Sequence, residues 1–92
     1  MFDVKFTNSF KKDIETLKKR GTYNFDELFH VVDLLRKGNR LPEKYRDHQL
    51  KGSEYKGCRD CHIRGDWILI YRLKKQELIL ELMYTGTHSD LF

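Results

Sequence analysis

The sequence holds only two cysteines, one proline and one tryptophan in 92 residues, and each scarcity removes a class of protein. Two thiols cannot make the disulfide framework that holds small secreted domains together. Cys58 and Cys61 also find no second C-x-x-C or H-x-x-x-H with which to complete a four-ligand structural zinc site. No stretch approaches the roughly 18 consecutive apolar residues of a membrane span. Met1-Phe2-Asp3-Val4-Lys5 lacks the apolar stretch of a secretory signal. The expectation is a cytoplasmic protein with free thiols and no membrane partner. Repeats, linkers and low-complexity stretches are missing too, so residues 1–92 read as a single domain. A domain this short buries only about 60% of the surface its unfolded chain exposes, so apolar packing must carry a modest stability.

Charge is plentiful. Lys and Arg number 18 against 14 Asp and Glu, giving net +4 and a pI near 9.1 on a chain that is 39% hydrophobic. A positive field favours an anionic partner: nucleic acid, an anionic membrane or an acidic protein.

Phe2, Val4 and Phe6 alternate with Asp3 and Lys5, the pattern of a short half-buried strand. From Asn8 or Ser9, either able to cap, Phe10, Ile14 and Leu17 recur at helical spacing, and Gly21 ends that helix after the basic Lys18-Lys19-Arg20. Asn24 with Glu27 predicts a variant capping box opening a second helix, whose stripe is Phe25, Leu28, Phe29, Val32 and Leu35. Gly38 ends it, and Pro42 forbids continuation. Beyond Tyr45 the period changes to two. Cys61 and Ile63 are expected on one side of a strand, Asp60, His62 and Arg64 on the other, with a turn at Gly65-Asp66. Trp67 to Leu73 reads as an apolar strand, Lys74 to Glu77 as a hairpin loop, Leu78 to Tyr84 as a further strand, and Thr85-Gly86-Thr87 as a turn. This order predicts an α+β domain in which an N-terminal strand and a two-helix hairpin pack on one face of an antiparallel sheet, leaving the other face for a ligand.

Cys58-Arg59-Asp60-Cys61-His62 spells C-x-x-C-H, the attachment motif of a c-type haem. Haem attachment of this kind implies export, and redox dithiols usually open a helix rather than a strand. Two ordinary buried or half-buried cysteines, with no cofactor and no metal, are the expectation. The histidines say more. His30 lies inside the second helix and reads as structural or surface, whereas His48, His62 and His88 all fall in the sheet half. Cleaving RNA through the 2′-hydroxyl needs a base, an acid and positive charge around the phosphorus. Histidine, with a pKa near 6.5, suits the first two roles, and Asp60 and Asp66 can orient it. Lys51, Arg59 and Arg64 can hold phosphate. Tyr55, Trp67 and Phe92 offer flat faces to an exposed base, although Trp67 also begins an apolar strand and reads equally well as core.

Four segments in order then resemble the YafQ branch of the RelE toxin superfamily: Tyr45 to Gly52, Lys56 to His62, Asp66 to Tyr71, and Thr85 to Phe92. The first forty residues resemble it only in pattern. The resemblance implies a microbial-ribonuclease-like sheet that enters the ribosomal A site and cuts translated messenger RNA there without metal. It also implies a cognate antitoxin of the DinJ or RelB type, forming a hetero-oligomeric complex. The family's functional positions fall on His48, Asp60, His62, Asp66, Trp67, His88 and Phe92. One departure stands out: Tyr84 occupies the place of the family's usual arginine before Gly-Thr-His, leaving Arg59, Arg64, Lys51 or the tyrosine hydroxyl to support the phosphate. On this reading His88 is the general acid, His48 or Asp66 the base, and His62, oriented by Asp60, a support. The rival is a toxin-derived module that binds antitoxin or ribosome without cutting, a reading the tyrosine favours.

Overall fold

The computed structural model describes residues 1–92. Strand β1 (Asp3–Phe6) leads into helices α1 (Asn8–Arg20) and α2 (Phe25–Arg36). A short 3-10 turn (Glu43–Tyr45) precedes β2 (His48–Gln49), β3 (Arg59–Arg64), β4 (Trp67–Lys74) and β5 (Ile79–Thr87), and a one-turn helix α3 (His88–Leu91) ends the chain. The five strands form one sheet in the order β1-β5-β4-β3-β2. The α+β architecture agrees with the sequence reading, with one refinement: β1 runs parallel to β5, so the sheet is mixed. Alternating side chains encode which face a strand buries and nothing about its neighbour's direction. β2 went unpredicted because two residues carry no periodicity.

The helices begin and end for local reasons. Thr7, rather than Asn8 or Ser9, caps α1: its hydroxyl oxygen accepts from the Phe10 amide at 3.2 Å and donates to the Leu82 carbonyl at 2.9 Å, tying the helix start to β5. Gly21, at φ 75°, closes α1 in the left-handed conformation that glycine tolerates. Asn24 does cap α2, through the Asp26 amide at 3.0 Å, but the expected box with Glu27 does not form. Glu27 turns instead toward Arg64, 3.6 Å away.

The apolar stripes of α1 and α2 lie on one face of the sheet, where Phe10, Leu17, Leu28, Val31 and Leu35 meet Cys61, Ile63, Leu69, Tyr71, Leu80 and Leu82. Trp67 belongs to this core. It is only 4% exposed, its indole N–H donates to the Thr85 hydroxyl at 2.8 Å, and Tyr23 and Phe25 meet its ring edge-on. The expectation of Trp67 as a platform for an RNA base is therefore corrected, because its faces are occupied by protein.

Alternation along β4 turns Ile68 and Ile70 toward the opposite face, yet both are fully buried. That face is thus partly roofed. The loop between β2 and β3 folds over it, with the Tyr55 hydroxyl donating to the Leu91 carbonyl at 3.0 Å and the Tyr55 ring meeting Tyr84 and Phe92. The last strand also runs on to Thr87, past the turn expected at residues 85–87, and delivers α3 to the same roof.

Candidate functional site

Pairing of β2 with β3 sets His48 opposite Asp60. Nδ1 of His48 lies 2.9 Å from both the Arg46 carbonyl and Asp60 Oδ1, but only the carbonyl stands at a hydrogen-bonding angle. A carbonyl only accepts, so Nδ1 is the donor in this contact, and in that tautomer of the neutral ring Nε2 is left to accept. Arg46, left-handed at φ 48°, aims that carbonyl.

Asp60 is 2% exposed, and its Oδ1 has no hydrogen bond. Burial raises its carboxyl pKa, while the nearby His48, His62 and His88 act in the opposite direction. Three histidines thus lie near enough to one buried carboxylate for their charge to act on it. His62, two residues along β3 on the same face, is half-buried, with Nδ1 3.3 Å from the Gly65 carbonyl. His88 opens α3, exposed, and its backbone N–H donates to the Asp66 carbonyl at 3.1 Å.

α3 is one turn long and needs support. The Thr87 hydroxyl accepts from the Asp90 amide at 3.2 Å while the Asp90 carboxylate accepts from the Thr87 amide at 2.9 Å, a reciprocal capping box. Arg20, at the far end of α1, grips the same carboxylate through two bonds of 2.7 and 2.9 Å. Arg20 and the Thr87 amide hold the Asp90 carboxyl well below the usual carboxylate range. Gly86 packs beneath it, where an added Cβ would come within 3.1 Å of Asp90. Asp90→Ala is expected to cost about 1 kcal/mol, the worth of a cap, and to let His88 stray. Because a depressed carboxyl stabilises only while ionised, the melting difference from the parent should shrink as the pH falls below about 4. Melting curves of both proteins across that range check it.

The structure brings together His48, Asp60, His62 and His88, with Tyr84 and Phe92 beside them: Phe92 lies 4.9 Å from the His88 ring and Tyr84 pairs with Ile70 across the same face. The other expected residues are placed elsewhere. Asp66 contributes its carbonyl to His88, while the residue lines a hollow with Thr22, Tyr23 and Arg64 at the helix side. Arg59 faces the helix side of the sheet and binds Asp47 through two contacts of 3.3 Å, because alternation puts it on the face opposite Asp60. Arg64 pairs with Glu27, and Lys51 lies in the exposed loop lining a hollow with Gln49 and Lys56. None of these three cations touches the histidines, which corrects the expectation that they stand in for the missing arginine. Thr87, Asp90 and Arg20 were missed. Thr87-x-x-Asp90 is a readable capping spacing, whereas nothing local marks Arg20 as its partner.

The chain is 38% identical over 91 residues to the messenger RNA interferase toxin YafQ of Escherichia coli K12, covering 98% of this chain and 95% of that one. The solved DinJ–YafQ complex of Escherichia coli superposes with a TM-score of 0.88 at 38% identity, covering 100% of this chain and 99% of that one. A metal-bound toxin from Helicobacter pylori superposes with a TM-score of 0.90 at 38% identity, covering all of both chains. In the present chain no three His, Cys, Asp or Glu side chains are grouped as ligands to a metal ion. The family model for the bacterial toxin of type II toxin-antitoxin systems, YafQ, matches residues 2–92. The chain belongs to the YafQ family of type II toxins.

Proposed function

We propose that this toxin is a ribosome-dependent endoribonuclease that cuts translated messenger RNA in the A site, by acid–base chemistry of its own side chains, and that a cognate antitoxin silences it. The observation that carries the reading is the placement of His48 opposite the buried Asp60, with His62 on the same face and His88 nearby. Neutral His48, with Nδ1 held by the Arg46 carbonyl, takes the proton of the 2′-hydroxyl on Nε2. The 2′-oxygen attacks phosphorus, the bond to the 5′-oxygen breaks, and protonated His88 gives that oxygen its proton. The products are a 2′,3′-cyclic phosphate and a free 5′-hydroxyl. His62 and the Tyr84 hydroxyl support the extra negative charge on the phosphate, the work the family's arginine would do. Phe92 offers a half-exposed ring for an unstacked base. Asp66 serves through its backbone, setting the position of His88.

Inducing the toxin without antitoxin and mapping new 5′ ends tests the proposal. Cuts confined to translated regions and in frame are expected, and equal cutting of untranslated RNA would overturn ribosome dependence. A second reading, a binding module that no longer cuts, is favoured by the lack of any lysine or arginine in contact with the histidines. Its signature is growth arrest with no new 5′ ends.

A further inference from the structure

His88 stands on the element of the fold least able to hold itself. α3 is a single turn with no buried residue, far shorter than a helix that persists in water on its own. What fixes it comes from elsewhere. Its far end is tied to the roof, where the Tyr55 hydroxyl donates to the Leu91 carbonyl and the Tyr55 ring meets Phe92. Its beginning is tied to the helix layer by Arg20, the last residue of α1 and 70 residues away in sequence. The two guanidinium nitrogens donate to the two oxygens of Asp90, and Oδ2, which receives the shorter bond, also accepts from the Thr87 amide. One oxygen thus links Arg20 to the residue immediately before His88. α1 is itself seated on β5, because Asp13 accepts from the Thr85 amide at 3.0 Å and Thr7 donates to the Leu82 carbonyl.

We infer that Arg20 is a positioning residue of the cleavage reaction: through the Asp90 carboxylate it sets where the His88 imidazole stands relative to the sheet. The assignment rests on the reading of His88 as the general acid. Energetics separate this role from a structural one. An ion pair whose side chains are 40% and 30% exposed adds little to folding, so its loss leaves the fold standing, with α3 still held at Leu91. A misplacement of about 1 Å, by contrast, can cost about a hundredfold in rate. The planar guanidinium meets both carboxylate oxygens at once and so fixes orientation as well as distance, whereas a lysine ammonium is a point charge on a flexible stem and fixes neither.

The test is single-turnover cleavage by the full toxin on ribosomes loaded with messenger, together with NMR of the His88 imidazole in the free toxin. Arg20→Ala and Arg20→Lys are compared with Lys19→Ala, which removes the same charge from an exposed neighbour that makes no ion pair. Arg20→Ala should lower the maximal rate about ten- to a hundredfold, with half-saturation changed no more than in Lys19→Ala, and Arg20→Lys should recover only part of that rate. In an Asp90→Ala background Arg20→Ala should do nothing further, its partner being gone. The His88 resonances should shift or broaden in Arg20→Ala and match the parent in Lys19→Ala. Unmoved resonances overturn the assignment whatever the rate, and so does an unchanged maximal rate. A loss confined to half-saturation would give Arg20 to RNA binding instead, and full recovery by lysine would reduce it to a charge. A parent toxin that cuts no messenger would overturn the ribonuclease reading and this role with it.

Discussion

Replacing His88 with alanine is expected to lower messenger cleavage by about a hundredfold to ten-thousandfold, the usual worth of a positioned acid or base, while leaving the fold intact. The two halves of that expectation have separate causes. His88 is exposed, and α3 is anchored by groups other than its imidazole: the Thr87–Asp90 box, Arg20, and the His88 backbone N–H on Asp66. Melting should therefore move by no more than about 0.5 kcal/mol, as for other surface substitutions. Without the acid, the departing 5′-oxygen leaves unprotonated, and the step loses its dependence on a protonated group. Single-turnover cleavage in a translating extract measures the loss. Full cleavage by the alanine variant would remove His88 from the mechanism.

Asp60→Asn should move stability and activity in opposite directions. Burial gives the folded carboxyl a higher proton affinity than it has in the unfolded chain, so its ionised form costs folding free energy. By linkage, stability from this group is greatest below about pH 4, where both states are protonated, and is lost as the pH rises through the folded value. Asparagine carries no charge to desolvate, so the variant should be more stable than the parent at pH 7, by on the order of 1 kcal/mol, and the gain should vanish in acid. Denaturant titrations at pH 4 and pH 7 measure both. Activity should fall at least about tenfold, equivalent to 1.4 kcal/mol of lost charge stabilisation. The variant no longer sets a buried anion near His48 and His62. A variant as active as the parent would make Asp60 a structural residue. The carboxylate is an example of stability given up for function.

Which of these features the sequence discloses follows from the range of the interaction that creates them. The two helices were legible because capping residues, glycine stops and 3.6-residue periodicity are all local. The strands beyond Arg59 were legible for the same reason. Trp67 was not, because Trp67 to Tyr71 is buried on both faces and a continuous apolar run erases the alternation that would reveal which way the indole points. The histidines and Asp60 were singled out through their chemistry and the family resemblance. Their convergence depends on β2 meeting β3 and on α3 folding back, contacts between distant residues that no local pattern records. The cations misled because lysine and arginine suit any surface, and Arg59 was placed by strand parity against Asp47.

The parallel pairing of β1 with β5 bears on how the chain comes into being. Asp3 meets Ile79 and Phe6 meets Leu82; Thr7 reaches the Leu82 carbonyl 75 residues on; Asp13 accepts from the Thr85 amide and Arg20 holds Asp90. Every anchor of the first strand and helix named here lies far later in the chain, in β5 and α3 or just before them. Topologies dominated by such distant contacts fold slowly, and during translation α1 has no sheet on which to lay its apolar stripe until β5 has left the exit tunnel. His88 arrives later still. The first strand and helix and the His88 turn therefore reach their partners in the same late step of folding.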